Sequence, residues 1–217
     1  MEIEIYSDVV CPWCWIGERR LLKALSSFSD EAVTLKWRAF QLDPSAESAG
    51  IPLVQWLGRR YGGEANARRM FANVTNVAEA EGLTMHFDDA VSANTFDAHR
   101  LIWWSGAEGG DQRPMVEALH RAHFTDGLDI GDRDVISSLT PSPTLTRKFL
   151  SSQEGVEEVR AELRAGRQLG ITGVPTFVFD GRAAISGAQD PSTFRDILSS
   201  LEVEPVAGDA CAIDDHC

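Results

Sequence analysis

The chain is poor in positive charge, poor in cysteine, and without a long apolar run. Its 217 residues carry 20 Lys and Arg against 33 Asp and Glu, a formal net charge of −13. No basic stripe interrupts that excess, which argues against nucleic acid or any other polyanion as a partner. No stretch approaches the roughly 20 apolar residues of a membrane span, so no membrane partner is expected. The N-terminus runs from Met1 directly into strand-like alternation, with no basic leader, signal-length apolar run or small-residue cleavage site. Read as a complete chain, it is expected in the cytoplasm. Repeats and low-complexity tracts are also absent. What remains, 43% hydrophobic and 24% charged, suits a globular protein with one large domain or a domain carrying an insertion.

The four cysteines form two sequence pairs, Cys11/Cys14 and Cys211/Cys217. Before the first pair, Ile3 and Ile5 alternate with Glu2 and Glu4, the period of a strand with one buried face. After it, Ile16, Leu21, Leu22, Leu25 and Phe28 recur at helical spacing, with Glu18, Arg19, Arg20 and Lys23 between them as the polar face. Cys11-Pro12-Trp13-Cys14 therefore sits where a strand hands over to a helix, with Pro12 in the first turn, where a missing N–H costs nothing. Unpaired N–H groups and the positive end of the helix dipole favour a thiolate at Cys11, which makes it the nucleophile. Cys14, about one turn deeper, is placed to resolve a mixed disulfide. Half of a zinc site is the competing reading, but no second ligand pair at matching spacing supports it.

Ala32–Phe40 alternates as a second strand, parallel to the first across the helical crossover. From Pro52 to Gly170 the periodicity is helical throughout. Helices are expected at Pro52–Tyr61, Glu64–Glu81, Thr95–Ala107, Arg113–Phe124 and Glu154–Leu169. A further pair falls between Asp132 and Ser151, broken by Thr140-Pro141-Ser142-Pro143, a break with no evident cause in the sequence. Strands return at Val174–Phe179 and Arg182–Ser186 around an Asp180-Gly181 hairpin turn, and Pro191–Leu201 reads as a last helix. The order β-α-β, helical block, β-β-α gives an α/β, thioredoxin-like fold with a large all-helical insertion. Residues 1–41 and 171–202 form its core, 42–170 the insertion, and 203–217 an acidic, cysteine-containing tail.

Gly173-Val174-Pro175-Thr176 opens the third strand. A cis bond before Pro175 would offer the Val174 backbone to an extended peptide, whereas base rates for X–Pro bonds favour a trans edge proline. His120 and His123, three apart on a helix with no Glu or third His, read as a solvated face, and no metal site is expected there. His99 reads as a structural hydrogen-bonding residue anchoring the insertion, with a substrate-facing role as the alternative. Trp15, Trp56, Trp103 and Trp104 read as core, and Trp13 as exposed beside the cysteines. Asp8 is a candidate proton relay for Cys14. For Cys211 and Cys217, four readings stand: a second redox pair, a regulatory disulfide, a metal site with His216 and the aspartates, or an unselected tail.

Asp8-Val9-Val10-Cys11-Pro12-Trp13-Cys14, Asn94-Thr95-Phe96-Asp97-Ala98-His99-Arg100, Gly173-Val174-Pro175-Thr176-Phe177 and Ser186-Gly187-Ala188-Gln189 occur in that order around the helical block. Together they resemble the DsbA family of thioredoxin-fold oxidoreductases, in its cytoplasmic FrnE-like branch, over residues 1 to about 202. The resemblance implies a thiol–disulfide oxidoreductase or isomerase with Cys11 as nucleophile, Cys14 as resolving thiol and Pro175 as a facing cis-proline. Trp13, Val174 and Thr176 would contact the substrate, a thiol- or disulfide-containing protein or small molecule. It also lends the Cys211/Cys217 pair a redox reading, because some FrnE-like proteins carry a related C-terminal pair. Strong oxidants of this fold have a histidine between the cysteines to help hold the thiolate. Trp13 cannot do so, and a more reducing couple is expected. A sister branch of glutathione-dependent isomerases and transferases, acting on small aromatic or polyketide molecules, shares the fold but carries a serine-based motif. No bound cofactor is implied, glutathione entering only as a co-substrate. The sequence does not give the oligomeric state.

Overall fold

The computed structural model describes residues 1–28 and 33–202. Strand β1 (Glu2–Ser7), helix α1 (Pro12–Leu25) and strand β2 (Thr34–Ala39) come first. Seven helices follow: α2 (Leu53–Arg60), α3 (Glu64–Ala80), α4 (Phe96–Ser105), α5 (Arg113–Phe124), α6 (Arg133–Ser138), α7 (Pro143–Leu150) and α8 (Val156–Gln168). Strands β3 (Thr176–Phe179) and β4 (Ala183–Ser186) and helix α9 (Pro191–Glu202) complete the described residues. The four strands form one mixed sheet in the order β2-β1-β3-β4. β1 is parallel to β2 and antiparallel to β3, and β3 is antiparallel to β4. The β3–β4 turn uses positive φ at both Asp180 (47°) and Gly181 (66°), the backbone that an Asp-Gly pair accommodates.

Alternation along the strands gives the sheet two covered faces. On one, Phe177 meets Phe194 of α9 edge to face at 4.9 Å, and α1 packs there too, with Gly17 against Phe177. On the other, Glu162 of α8 pairs with Arg38 and accepts from the Ala39 N–H, while Tyr6 lies against Gly166. Ile3, Ile5 and Phe177 of the sheet share one hydrophobic cluster with Leu101, Leu119 and Leu150 of α4, α5 and α7. The helical block is thus separate in chain order but not in its core. A second cluster joins Trp15 and Ile16 of α1 to Val54, Phe71, Val74, Phe87 and Phe124.

The Asn94–Arg100 segment is a staple. Asn94 Nδ2 donates to the Pro44 and Ala46 carbonyls, both at 3.1 Å, and its Oδ1 accepts from the Phe96 N–H. His99 Nε2 reaches the Phe40 carbonyl at 2.9 Å and Asp8 Oδ1 at 3.3 Å, tying α4 to the ends of β1 and β2. Arg100 is buried at 1% exposure and gathers the carbonyls of residues 149, 150, 152 and 154. The break at 140–143 also finds its cause, since Pro143 is the first residue of α7 and Thr140 Oγ1 closes α6 on the Ser137 carbonyl.

Several sequence expectations are corrected. His120 and His123 lie on no solvated face: both are fully buried, on the same α5 stripe as Val116 and Leu119. Glu18 is not part of α1's polar face but is 2% exposed, one helical turn beyond Cys14. Of the tryptophans expected in the core, Trp15 is buried, but Trp56, Trp103 and Trp104 are only partly so.

Candidate active site

Cys11 is the N-cap of α1, extended at φ −98° and ψ 109°, and Pro12 takes the first helical position. The Cys11 N–H bonds the Asp8 carbonyl at 2.9 Å, and the Cys14 N–H bonds the Cys11 carbonyl at 3.0 Å, so a tight turn aims both thiols at one spot. Both cysteines are free thiols in this structure. The Val174–Pro175 peptide is cis. The Cys11 thiol meets the Val174 carbonyl at 3.6 Å.

Gly17, which the sequence reading did not single out, lets these parts approach. A Cβ there would lie 3.0 Å from Pro175 Cγ, 3.1 Å from Phe177 Cζ and 3.4 Å from Ala188 Cα. α1 therefore rests directly on the proline turn. Its only sequence signal was a glycine on the inner face of a helix otherwise free of it. Gly17→Ala is expected to cost about 1–2 kcal/mol through overpacking, partly offset by helix propensity. It should also slow disulfide exchange several-fold by displacing Cys11 from Val174. Denaturant unfolding together with a dithiol-exchange assay checks this, and an unchanged midpoint would show that the contact has slack.

Cys11 lines a groove of about 350 Å³ whose walls include Trp13, Trp56, Leu57, Tyr61 and Val174. Leu42, Tyr61 and Met70, exposed by 47%, 50% and 44%, stand at its lining, an apolar concentration that marks a binding surface. The Arg60–Asp43 ion pair contributes the charged side chains of that lining. Of the residues expected to contact substrate, Trp13 and Val174 line this groove. Thr176 is buried instead, its hydroxyl donating to the Gly173 carbonyl at 2.9 Å, where it fastens the proline turn. Cys211 and Cys217 lie outside the described residues.

Behind Cys11, Cys14 is 2% exposed, and burial pushes its thiol well above the usual range, with Cys11 adding to the effect. The Asp8 backbone N–H and the Ser7 hydroxyl face the sulfur and oppose that shift. Asp8 itself is buried, its Oδ2 accepting from the Leu42 N–H at 2.7 Å and its Oδ1 beside His99. On the far side of α1, the Trp15 ring stacks on His120 at 5.7 Å, and its Nε1 donates to Glu117.

A family model described as the DSBA-like thioredoxin domain matches residues 2–199. The crystal structure of a probable DsbA oxidoreductase, SCO1869 from Streptomyces coelicolor, is 31% identical with a TM-score of 0.86, covering 99% of this chain and 97% of that one. The cytosolic disulfide reductase DsbM from Pseudomonas aeruginosa, solved with GSH, is 19% identical with a TM-score of 0.66 over 93% of this chain and 99% of its own. The uncharacterized protein YwbO from Bacillus subtilis is 24% identical over 204 residues, 92% of this chain and 96% of that protein. With a match across nearly its whole length and the paired thiols at the strand-to-helix junction, the chain belongs to the DSBA-like thioredoxin domain family.

Proposed function

We propose that the chain is a thiol–disulfide oxidoreductase that exchanges disulfides through Cys11-Pro12-Trp13-Cys14. The observation that carries this is the arrangement of two free thiols: Cys11, 4% exposed, in the lining of an open apolar groove, and Cys14, 2% exposed, one turn further along α1 and not among the groove's lining residues. The Cys11 thiolate attacks a substrate disulfide, forming a Cys11–substrate disulfide and releasing one substrate thiolate. Cys14, once deprotonated, attacks the Cys11 sulfur, closing the Cys11–Cys14 disulfide and releasing the second substrate thiolate. Two electrons pass from the dithiol to the substrate. Trp13 supplies no positive charge beside Cys11, which supports a reducing couple working as reductase or isomerase. We place it in a reducing compartment with glutathione as the co-substrate that restores the dithiol. Support for that comes from the likeness to a cytosolic reductase solved with GSH. Among the described residues, no helix is long and apolar enough to cross a membrane.

Insulin reduction by wild type and Cys11→Ser tests the proposal. The wild type is expected to accelerate precipitation well above the dithiol alone, and Cys11→Ser to fall to that background. Its potential is expected to lie well below the roughly −120 mV of a strong periplasmic oxidant. A wild type no faster than background would sink the proposal and favour a glutathione-dependent conversion of a small apolar molecule in the groove.

A further inference from the structure

The resolving step needs a proton acceptor, because Cys14 is buried and holds its proton tightly. The Ser7 hydroxyl faces the Cys14 sulfur from the end of β1. Ser7 also lines a small cavity of about 10 Å³, together with Arg38, His99 and Glu162 among others. That volume is close to the minimum for one water molecule, and a lining that includes Ser7 and His99 supplies polar groups of the kind a bound water requires. The tautomer of His99 follows from its neighbours. Nε2 faces two acceptors, the Phe40 carbonyl and Asp8 Oδ1, so Nε2 carries the hydrogen and Nδ1 keeps a lone pair.

Resting on the oxidoreductase reading above, we propose that Ser7, one water in this cavity and the His99–Asp8 pair form the path by which Cys14 loses its proton. Ser7 accepts the Cys14 proton and passes its own to the water, which protonates His99 Nδ1. The imidazolium is held by Asp8 Oδ1 across Nε2–H. The Cys14 thiolate then attacks the Cys11 sulfur, and the electron pair of the broken bond leaves on the substrate sulfur. In the reverse reaction the proton returns along the same path. Ser7 touches the reacting sulfur, while His99 acts through it. The charged and titratable groups around His99 are Asp8 from the β1–α1 turn, in contact with it, and His120 from α5, while Arg38 from β2 and Glu162 from α8 line the same small cavity and pair with each other. His123, also on α5, faces Asp8.

Reduced full-length protein mixed with 5,5′-dithiobis(2-nitrobenzoate) separates the two steps. A first thionitrobenzoate is released when Cys11 attacks, and a second when Cys14 resolves the mixed disulfide. Ser7→Ala and His99→Gln, the latter still able to donate to the Phe40 carbonyl, are expected to slow the second release about 10- to 100-fold at pH 7. The first release should stay within about twofold, on the scale of that same effect. Ser7→Thr should restore most of the rate. The wild-type second phase should level off with rising pH, whereas both slow variants should keep climbing as hydroxide takes over. A second phase within twofold of wild type in Ser7→Ala would overturn the proposal, and that variant decides if His99→Gln does not fold. Failure of the wild type to release even the first thionitrobenzoate would instead overturn the oxidoreductase reading.

Discussion

Arg100→Met destabilises the fold by about 3–5 kcal/mol, the range for removing one partner of a buried, charged hydrogen-bond network. The guanidinium is 1% exposed and donates to Asp97 Oδ1 at 2.7 Å, Leu150 O at 3.1 Å, Phe149 O at 3.2 Å, Ser152 O at 3.0 Å, and Glu154 O at 2.7 Å. It also lies over the Phe149 ring, 5.1 Å from its centroid. These carbonyls belong to the end of α7 and the turn into α8, where the helix no longer supplies an N–H to every C=O group. Methionine fills the volume but donates nothing; the Phe149 carbonyl keeps the Ser152 N–H and hydroxyl, but the Leu150 carbonyl loses its arginine donor, at about 1–3 kcal/mol. Set against a total of about 5–15 kcal/mol for a domain, the loss is large. Arg100→Lys should retain part of it, since an ammonium has three donors but no planar fork. Urea midpoints decide, and a Met variant within about 1 kcal/mol of wild type would show that water replaces the guanidinium there.

The second large effect is a gain. Glu18 sits buried in α1, and burial first, then the neighbouring Glu117, push its carboxyl up to about 8, against smaller opposition from Arg19 and Arg113. One of its oxygens has no partner. The folded protein therefore holds a proton that the unfolded chain releases near pH 4.5. Stability from this group is full below that value and is lost as pH rises towards 8. His120 and His123 work in the opposite sense. Burial lowers them to about 3 and about 4, so the unfolded chain takes up protons below pH 6.5 that the fold does not, and stability falls on acidification. Two histidines outweigh one glutamate between pH 4.5 and 6.5, and Glu18 acts alone above that. The stability maximum should accordingly lie near pH 6.5. Glu18→Gln, neutral for neutral at pH 5, should raise stability by a few kcal/mol at pH 8–9 and flatten the alkaline side of the profile. Unfolding free energies at pH 5, 6.5 and 8.5 check it. A variant that gains nothing at pH 8.5 would mean that the carboxylate is solvated in the fold.

Much of the architecture was legible because its signals are local. The alternation of Ile3 and Ile5, the proline and glycine punctuation between helices, and Asp180-Gly181 each encode a neighbourhood of a few residues. The paired thiols were legible for the same reason. What the sequence concealed are polar side chains placed on apolar stripes. Val116, Leu119, His120 and His123 keep helical spacing, and so do Cys14, Glu18 and Leu21. A histidine or glutamate in such a stripe, however, reads as polar until a facing helix is known to cover it. Burial of Glu18 is decided by α5, about a hundred residues away in the chain. The role of Gly17 was hidden similarly, because the proline turn it admits lies 158 residues further on. Arg100 could be seen as part of a motif, but not as the clasp of a turn formed some fifty residues later.

The pairing of β1 with β3 bears on how the chain comes off the ribosome. Ile3 sits opposite Phe179, and Ile5 opposite Phe177. β1 therefore waits for β3, on the far side of the helical block in the chain, before the sheet's centre can close. Until then β1 offers an open edge, and the helices made in between have only part of the apolar surface they finally cover. Such long-range closure folds slowly and exposes sticky intermediates. Truncation anywhere before residue 176 leaves the CxxC helix attached to a half-built sheet. A nascent chain thus carries its reactive thiols through the whole helical block without the turn that will enclose them.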